Sequence, residues 1–293
     1  MLVSSRKYWS GLFLYALALW FLAQQRPFWV DELLQLFGTR DLAGSNLLRY
    51  VGTFPGAAPI GYFAQHWAIA TLGFSPFSSA RLFSIIPCIL GCFGLTILLR
   101  YLGIRDRYGI TILCWMLLPL QLRYGVEARP YALALFFSIV ATGLFFRLLE
   151  NPSRSNGSSY CFAVILALYT APYTIFLQAG FVLCAICSRR NRSAGTISSA
   201  ALAVAALSFA PWYWASANYW KHYLAVTADV GFKVTPKFFL LPIQEISGGG
   251  IYAPSPSFSW QLSAIALRDY WGFKKTAYCS ESYRASPARS RPT

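Results

Sequence analysis

Two adjacent acids, Asp31 and Glu32, stand just beyond the first apolar run of a chain that has only ten Asp and Glu in 293 residues. A carboxylate can take a proton from an attacking hydroxyl, so acids at a membrane boundary are candidates for general base catalysis. The alternative is that the pair only solvates the end of the first helix and the amphipathic segment after it. The residues that lie on the same side of the membrane as the acid pair decide between these two interpretations.

A positive-inside topology places arginines and tyrosines on the side that carries the acid pair. Guanidinium groups bind phosphate through charge-assisted hydrogen bonds and can stabilise charge that builds on a phosphate leaving group. The residues concerned are Arg81, Arg123, Glu127 and Arg129, together with Tyr124 and Tyr131. Arg129 could instead be a snorkelling residue at a helix start, and Arg81 and Arg123 could be interfacial anchors.

A carboxylate near phosphate-binding arginines at a bilayer surface suits one type of reaction. An acceptor hydroxyl would attack a sugar carried by a lipid phosphate, and the carboxylate would take the proton of that hydroxyl. Phosphate is a good leaving group, so no second acid is needed to protonate it. A single displacement with one base would invert the anomeric centre.

The composition predicts an integral membrane protein. The chain is 56% hydrophobic and 12% charged, and its mean hydropathy is +0.46. A water-soluble domain needs a larger share of polar and charged side chains to cover its surface. The net charge is +15, but the basic residues punctuate apolar runs, as topology signals and anionic-lipid contacts do, so nucleic-acid binding is not predicted. No metal site or cofactor is predicted, although a divalent ion at Asp31 and Glu32 stays open.

Apolar runs of about 20 residues are needed to span a bilayer as helices. A longer run, 160–187, is interrupted at Pro172, which predicts two short helices. The fold class is therefore all-α, a polytopic transmembrane bundle of about seven membrane helices with juxtamembrane helices in a long first loop, 24–81. The five single runs are 8–23, 82–102, 110–122, 130–149 and 196–215.

Basic clusters in the short loops predict a cytoplasmic N-terminus and put the loop 24–81 on the opposite face. Within that loop, two short interfacial helices are expected at about 33–37 and 42–51, and a half-embedded element at 57–74. The first apolar run follows Arg6 and Lys7 and resembles a signal peptide, but we interpret it as a retained signal-anchor helix. The four clusters are Arg6 with Lys7, Arg100 with Arg105 and Arg107, Arg147 with Arg154, and Arg189 with Arg190 and Arg192.

Three regions are predicted along the chain. Residues 1–215 form the transmembrane module, 216–267 form an exofacial or juxtamembrane segment, and 268–293 form a basic polar tail. The tail is expected to be disordered in the cytoplasm, or to be the end of a truncated or frame-shifted protein, and the sequence leaves these alternatives open.

Five short motifs occur in order along the chain. They are Phe-Trp-Val-Asp-Glu at 28–32, Ala-Arg-Leu-Phe-Ser-Ile-Ile-Pro at 80–87, Tyr-Gly-Val-Glu-Ala-Arg-Pro-Tyr-Ala-Leu at 124–133, Leu-Tyr-Thr-Ala-Pro-Tyr at 168–173 and Ala-Pro-Trp at 210–212. Their order resembles that of the GT-C membrane glycosyltransferases, specifically the dolichyl-phosphate-mannose protein mannosyltransferases and the lipid A aminoarabinose transferases. The resemblance covers about residues 1–255. It departs from the family pattern at 56–61, where members usually carry a His- or Asp-Pro-Pro-Leu motif and this chain has Gly-Ala-Ala-Pro-Ile-Gly.

The resemblance implies roles for particular residues. Asp31 would be the catalytic base and Glu32 a supporting acid, while Arg129 and Tyr131 would bind the donor phosphate, with Arg81 and Arg123 as additions. The donor would be a polyprenyl-phosphate sugar, and the acceptor a hydroxyl of an unidentified lipid, glycan or protein. A bacterial member would lie in the plasma membrane and a eukaryotic one in the endoplasmic reticulum. The alternatives are an inactive or truncated member, or a transporter or flippase.

Overall fold

The computed structural model describes residues 6–40, 59–104, 108–187 and 192–229, and each regular element in these ranges is an α-helix. The predicted all-helical fold class is therefore confirmed. The helices are α1 (Arg6–Gln25), α2 (Val30–Arg40), α3 (Pro59–Thr71), α4 (Pro76–Tyr101), α5 (Tyr108–Leu117), α6 (Pro119–Val126), α7 (Tyr131–Glu150), α8 (Arg154–Thr170), α9 (Thr174–Cys187) and α10 (Arg192–Asp229).

Three helices in the described ranges are long and apolar enough to cross a membrane: α4, α7 and the Arg192–Trp214 part of α10. The pair α5 and α6 makes a fourth if it forms one bent span. Helix α9 is apolar but has 14 residues, and α8 has 17. A crossing by α1, α8 or α9 stays a prediction.

In the described ranges the helices pack around two large apolar cores and a small third cluster of Leu36, Ala80 and Ala128. The first joins α1, α4, α5 and α6 to the start of α7, and the second joins the rest of α7 to α8, α9 and α10. Small side chains allow close approach in the second core, as is typical of membrane helices. A side chain at Gly157 of α8 would collide with Ile197 of α10, because its Cβ would overlap the Ile197 Cγ2.

The predicted span 110–122 is wrong as one straight helix. Helices α5 and α6 are bent by 64° at Leu118. Pro119 follows that residue, lacks an N–H and pushes Leu118 out of the helical region, so the helix ends there and α6 starts at the proline. The short α6 ends at Val126, a few residues before Arg129 and Tyr131 of the predicted site.

The long first loop contains helical structure. Helix α2 begins at the acid pair, and α3 has 13 residues within the predicted half-embedded stretch 57–74. Helix α3 packs against α2 and α4. The second predicted interfacial helix, 42–51, lies outside the described residues.

The predicted break in 160–187 is present at 171–173, between α8 and α9. Helix α10 is longer than the predicted run 196–215, since it extends from Arg192 to Asp229. The predicted boundary at residue 215 thus falls inside a helix, and the tail 268–293 lies outside the described residues. The described residues all belong to one compact unit, 1–248.

Candidate active site

The acid pair opens α2, and the two carboxylates point different ways. Trp29 precedes the helix, and its backbone N–H donates to the Glu32 Oε2 at 2.8 Å, which is the return bond of a capping box. Successive helix residues are rotated by about 100°, so the carboxylate of Asp31 faces elsewhere. The side chain of Asp31 is 69% exposed, whereas that of Glu32 is fully buried.

The buried Glu32 carboxylate forms an ion pair with Arg81 of α4. The Arg81 Nη1 lies 2.6 Å from the Glu32 Oε1, and the guanidinium also stacks on the ring of Phe28, with its Cζ 4.0 Å from the ring centroid. The Arg81 Nη2 donates to the backbone carbonyls of Arg26 and Pro27. Arg81 is 1% exposed, so both predicted site residues are enclosed by protein atoms.

The exposed acid meets the predicted phosphate-binding arginine. The Arg129 Nη1 lies 3.3 Å from the Asp31 Oδ2, and the Arg129 Cζ lies 4.8 Å from the ring centroid of Tyr131. The rings of Tyr131 and Tyr124 are 4.7 Å apart. Asp31 therefore forms one contiguous group with Arg129 and Tyr131, although Arg129 follows it by 98 positions in the sequence.

The third predicted arginine, Arg123, lies beside another acid, Glu127. The Glu127 carboxylate is buried and lies 3.8 Å from the Arg123 Nε and 3.9 Å from the Arg26 Nη2. Burial raises the pKa of the Glu127 carboxyl, and the two arginines lower it in part. Both arginines also lie near the ring of Trp29. The distance from Cζ to the ring centroid is 5.8 Å for Arg123 and 5.5 Å for Arg26.

A cavity of about 700 Å³ adjoins Arg129. Its size and mainly apolar lining are typical of sites for small or lipid ligands. Arg129 is the charged residue among the described lining side chains, and the break 171–173 forms part of the wall. The aromatic lining residues are Tyr62, Tyr131, Tyr173, Phe176, Phe209 and Tyr213. Arg81, Arg123 and Glu32 do not line it.

Sequence patterns did not reveal the polar and aromatic residues that complete this site. Gln35 lines the cavity and donates to the amide oxygen of Gln65, although both look like ordinary helix residues in the sequence. Tyr213 belongs to an aromatic cluster that is typical of an interfacial belt, yet it lines the cavity. The sequence signal for a cavity was the predicted break at Pro172, because irregular backbone at membrane depth lines cavities.

A smaller cavity of about 450 Å³ lies at the start of α10 and is lined by Arg192, Thr196 and Ser199 without a carboxylate. Within the described ranges, no three His, Cys, Asp or Glu side chains are grouped to hold a metal ion.

Comparisons with protein-family models, with curated proteins and with solved structures find no match to this chain.

Proposed function

We propose that the chain is a multi-pass membrane glycosyltransferase that moves a sugar from a polyprenyl-phosphate donor to an acceptor hydroxyl on the face opposite the cytoplasm. The observation that carries this proposal is the 3.3 Å contact between Asp31 and Arg129, next to an apolar cavity that Arg129 lines. A proton acceptor, a phosphate-binding cation and a space for a hydrocarbon chain thus adjoin each other.

The lining of the cavity supports a donor with a phosphate and a hydrocarbon chain. Its phosphate would bind the Arg129 guanidinium, whose planar fork matches phosphate oxygens. Its isoprenoid chain would lie along the aromatic side chains, which include Phe176 and Phe209. The Tyr131 ring, stacked against Arg129, would keep the guanidinium directed at the phosphate.

The transfer step needs one base. The Asp31 carboxylate takes the proton of the acceptor hydroxyl, the acceptor oxygen bonds to the anomeric carbon, and the bond from that carbon to the phosphate oxygen breaks. The electron pair leaves with the polyprenyl phosphate, where Arg129 stabilises the charge. When the donor phosphate takes over the guanidinium, the exposed Asp31 carboxylate becomes available to the acceptor.

The buried pair of Glu32 and Arg81 has no direct part in the transfer step of this proposal. Glu32 and Arg81 are enclosed, so neither would touch the donor or the acceptor, contrary to the roles expected from the resemblance. Arg123 lies against Glu127 and Trp29 outside the cavity lining. Direct contact with the donor phosphate is therefore assigned to Arg129 alone among the predicted arginines.

A labelled-donor assay tests the proposal. Purified protein in proteoliposomes is given a series of polyprenyl-phosphate sugars with radiolabelled sugar, together with membrane lipids and peptides as acceptors. We expect label to leave the lipid donor and to reach an acceptor with inverted anomeric configuration. Absence of transfer with every donor, together with absence of polyprenyl-phosphate binding, would reject it. Binding without transfer would instead support an inactive relative or a flippase.

Arg129→Ala should raise the KM for the donor by roughly 10- to 100-fold, because a hydrogen bond to a charged group contributes about 1.5–3 kcal/mol. Arg129→Lys should lie between, since Lys keeps the charge and loses the fork. The measurement is initial-rate kinetics at varied donor concentration. Arg154→Ala, which removes an exposed arginine at the start of α8, is the matched control. An unchanged donor KM for Arg129→Ala would remove the phosphate assignment.

Glycosylation mapping in microsomes tests the proposed topology. Asn156 and Asn191 each begin an acceptor tripeptide and should stay unmodified, because their loops are proposed to be cytoplasmic. Leu48→Thr adds an acceptor site at Asn46, in the loop proposed to face the lumen, and that site should be modified. Modification at Asn156 or Asn191, with none at Asn46, would reverse the topology.

A further inference from the structure

In residues 126–129, which carry Arg129, every backbone group from the Val126 carbonyl to the Arg129 carbonyl is hydrogen-bonded. Within this 126–129 segment, the Glu127 N–H donates to the Arg123 carbonyl at 3.0 Å, and the Arg129 N–H donates to the Glu127 carbonyl at 2.7 Å. The remaining groups bond to side chains. The Val126 carbonyl accepts from Arg81 Nη1, and the Ala128 N–H donates to Glu32 Oε1 at 2.5 Å.

Two further side chains complete the set. Gln65 Nε2 donates to the Ala128 carbonyl at 3.2 Å, and Ser84 Oγ donates to the Arg129 carbonyl at 3.0 Å. The Gln65 amide is itself oriented by Gln35, whose Nε2 donates to the Gln65 Oε1. Irregular backbone between two helices is thus satisfied by side chains, where a loop on a protein surface would use water.

The four side chains that hold the segment are all buried. Glu32, Gln65, Arg81 and Ser84 are each 0–1% exposed, and they come from α2, α3 and α4. Ala128 at the centre is also fully buried. Hydrogen bonds in such surroundings are stronger than in water, and the loss of a partner leaves a buried polar group unsatisfied.

Helix α3, which carries Gln65, also packs closely against the residue that follows the segment. A Cβ on Gly61 would lie 2.6 Å from the Cβ of Pro130, so glycine allows α3 to approach the proline that follows Arg129. The segment is therefore enclosed by packing as well as by hydrogen bonds, and its backbone has little room to move.

The geometry links the segment to the acid pair directly. Glu32 is the neighbour of Asp31, and Ala128 is the neighbour of Arg129, so the bond from the Ala128 N–H to Glu32 joins the backbones next to both members of the Asp31–Arg129 pair. This buried bond limits the relative movement of the two backbones that carry Asp31 and Arg129, while both side chains stay at least partly accessible.

We infer that Glu32, Gln65, Arg81 and Ser84 are positioning residues, which hold the 126–129 segment so that Arg129 stays at a fixed distance from Asp31. They act through the segment and do not touch the substrate. Their effect on catalysis rests on the proposed function. Their effect on the segment does not, so the two can be tested apart.

Two variants test the inference without a large change in volume. Glu32→Gln keeps an acceptor oxygen but loses the charge opposite Arg81, and Ser84→Ala removes only the bond to the Arg129 carbonyl. Tyr160→Phe and Ser198→Ala are the matched controls, because they remove buried hydrogen bonds in the second core, to Gln178 and to the Gly195 carbonyl. The readouts are amide hydrogen exchange of a peptide spanning 127–129 and the steady-state kinetics of transfer.

We expect amide exchange at 127–129 to become about tenfold faster in Ser84→Ala and faster still in Glu32→Gln, with no change at 127–129 in the controls. We expect kcat to fall by about 100-fold in Glu32→Gln and by roughly fivefold in Ser84→Ala, with a smaller rise in the donor KM. Transition-state geometry tolerates less displacement of Arg129 than donor binding does, which is why kcat and KM should respond unequally.

Unchanged exchange at 127–129 in both variants would overturn the inference, as would a fall in kcat no larger than that of Tyr160→Phe. If the wild type transfers no sugar, the exchange data still decide whether these residues hold the segment, together with the affinity for polyprenyl phosphate. A protein with a protected segment but no transfer would contradict the proposed function and leave the positioning role supported.

Discussion

Asp31→Asn should reduce sugar transfer by about 10³-fold while leaving the protein folded and inserted in the membrane. The amide cannot take the acceptor proton, and positioned general bases contribute about 10²–10⁴-fold to rates. The cost in stability should be small, because the Asp31 side chain is 69% exposed and its ion pair with Arg129 is 3.3 Å long; such partly exposed pairs are worth about 0–1 kcal/mol. The measurement is initial-rate transfer with a labelled donor.

The matched control is Glu150→Gln, which alters an exposed acid at the end of α7 that accepts a hydrogen bond from Tyr101. It removes the same charge from an exposed carboxylate without touching the candidate site, so transfer should be unaffected. Donor affinity should change less than turnover in Asp31→Asn, because Arg129 remains to bind the phosphate. Retention of more than about a tenth of the wild-type rate would exclude Asp31 as the base.

The positions of most helices could be predicted from the sequence, whereas their ends and breaks could not. Runs of apolar residues located α4 and α7 because a spanning helix requires such a run. Helix α4 nevertheless starts at Pro76, six residues before the predicted run, because Ser75 caps it by accepting from the Ser78 N–H. A cap contributes polar residues, so hydropathy alone misses it.

Proline shows why breaks are hard to predict. Helix α5 ends just before Pro119 and α8 ends just before Pro172. Pro87, by contrast, lies inside α4 and Pro211 lies inside α10. The same ring removes one hydrogen bond in each case, and surrounding packing decides whether the helix continues past it. The break at Pro172 was expected because basic loops flank its run on both sides, while Pro119 offered no such charge signal.

The candidate site was predicted as one set of residues, whereas the structure divides it into the exposed pair Asp31–Arg129 and the buried pair Glu32–Arg81. Charge scarcity and topology brought Asp31, Arg129 and Tyr131 together in the sequence argument, and the structure has them in contact. What could not be predicted is that Glu32 turns inward to Arg81. Helix geometry separates the two neighbouring side chains, but which of them meets Arg81 depends on the side on which α4 packs, and that is a tertiary feature.

One sequence signal for Glu32 was available. An acid at the third position of a helix can return a hydrogen bond to the backbone N–H that precedes the helix, and Trp29 and Glu32 have that spacing. The usual Ser or Thr is absent at position 29, so the pattern was incomplete. The contributions of Gln65 and Ser84 had no signal, because each becomes significant only through the backbone of a segment distant in sequence.

Arg81→Met should destabilise the protein by about 3–5 kcal/mol, the usual cost of leaving one partner of a buried ion pair without the other. The orphaned Glu32 carboxylate would be fully buried, with the N–H groups of Trp29 and Ala128 as its remaining donors. The measurement is thermal unfolding in detergent, and Arg154→Ala, which removes an exposed arginine, should leave the unfolding temperature unchanged. A loss below about 1 kcal/mol would contradict the burial of this pair.

The double variant Glu32→Gln with Arg81→Met separates stability from positioning. A neutral pair of similar volume removes the unpaired charge, so much of the lost stability should return. Transfer should not return with it, because the Val126 carbonyl has lost its bond from Arg81 and one Gln oxygen replaces the two Glu32 oxygens that accept from Trp29 and Ala128. A stable but slow double variant would mean that the buried pair serves the position of Arg129, whereas recovery of both would mean that it serves the fold alone.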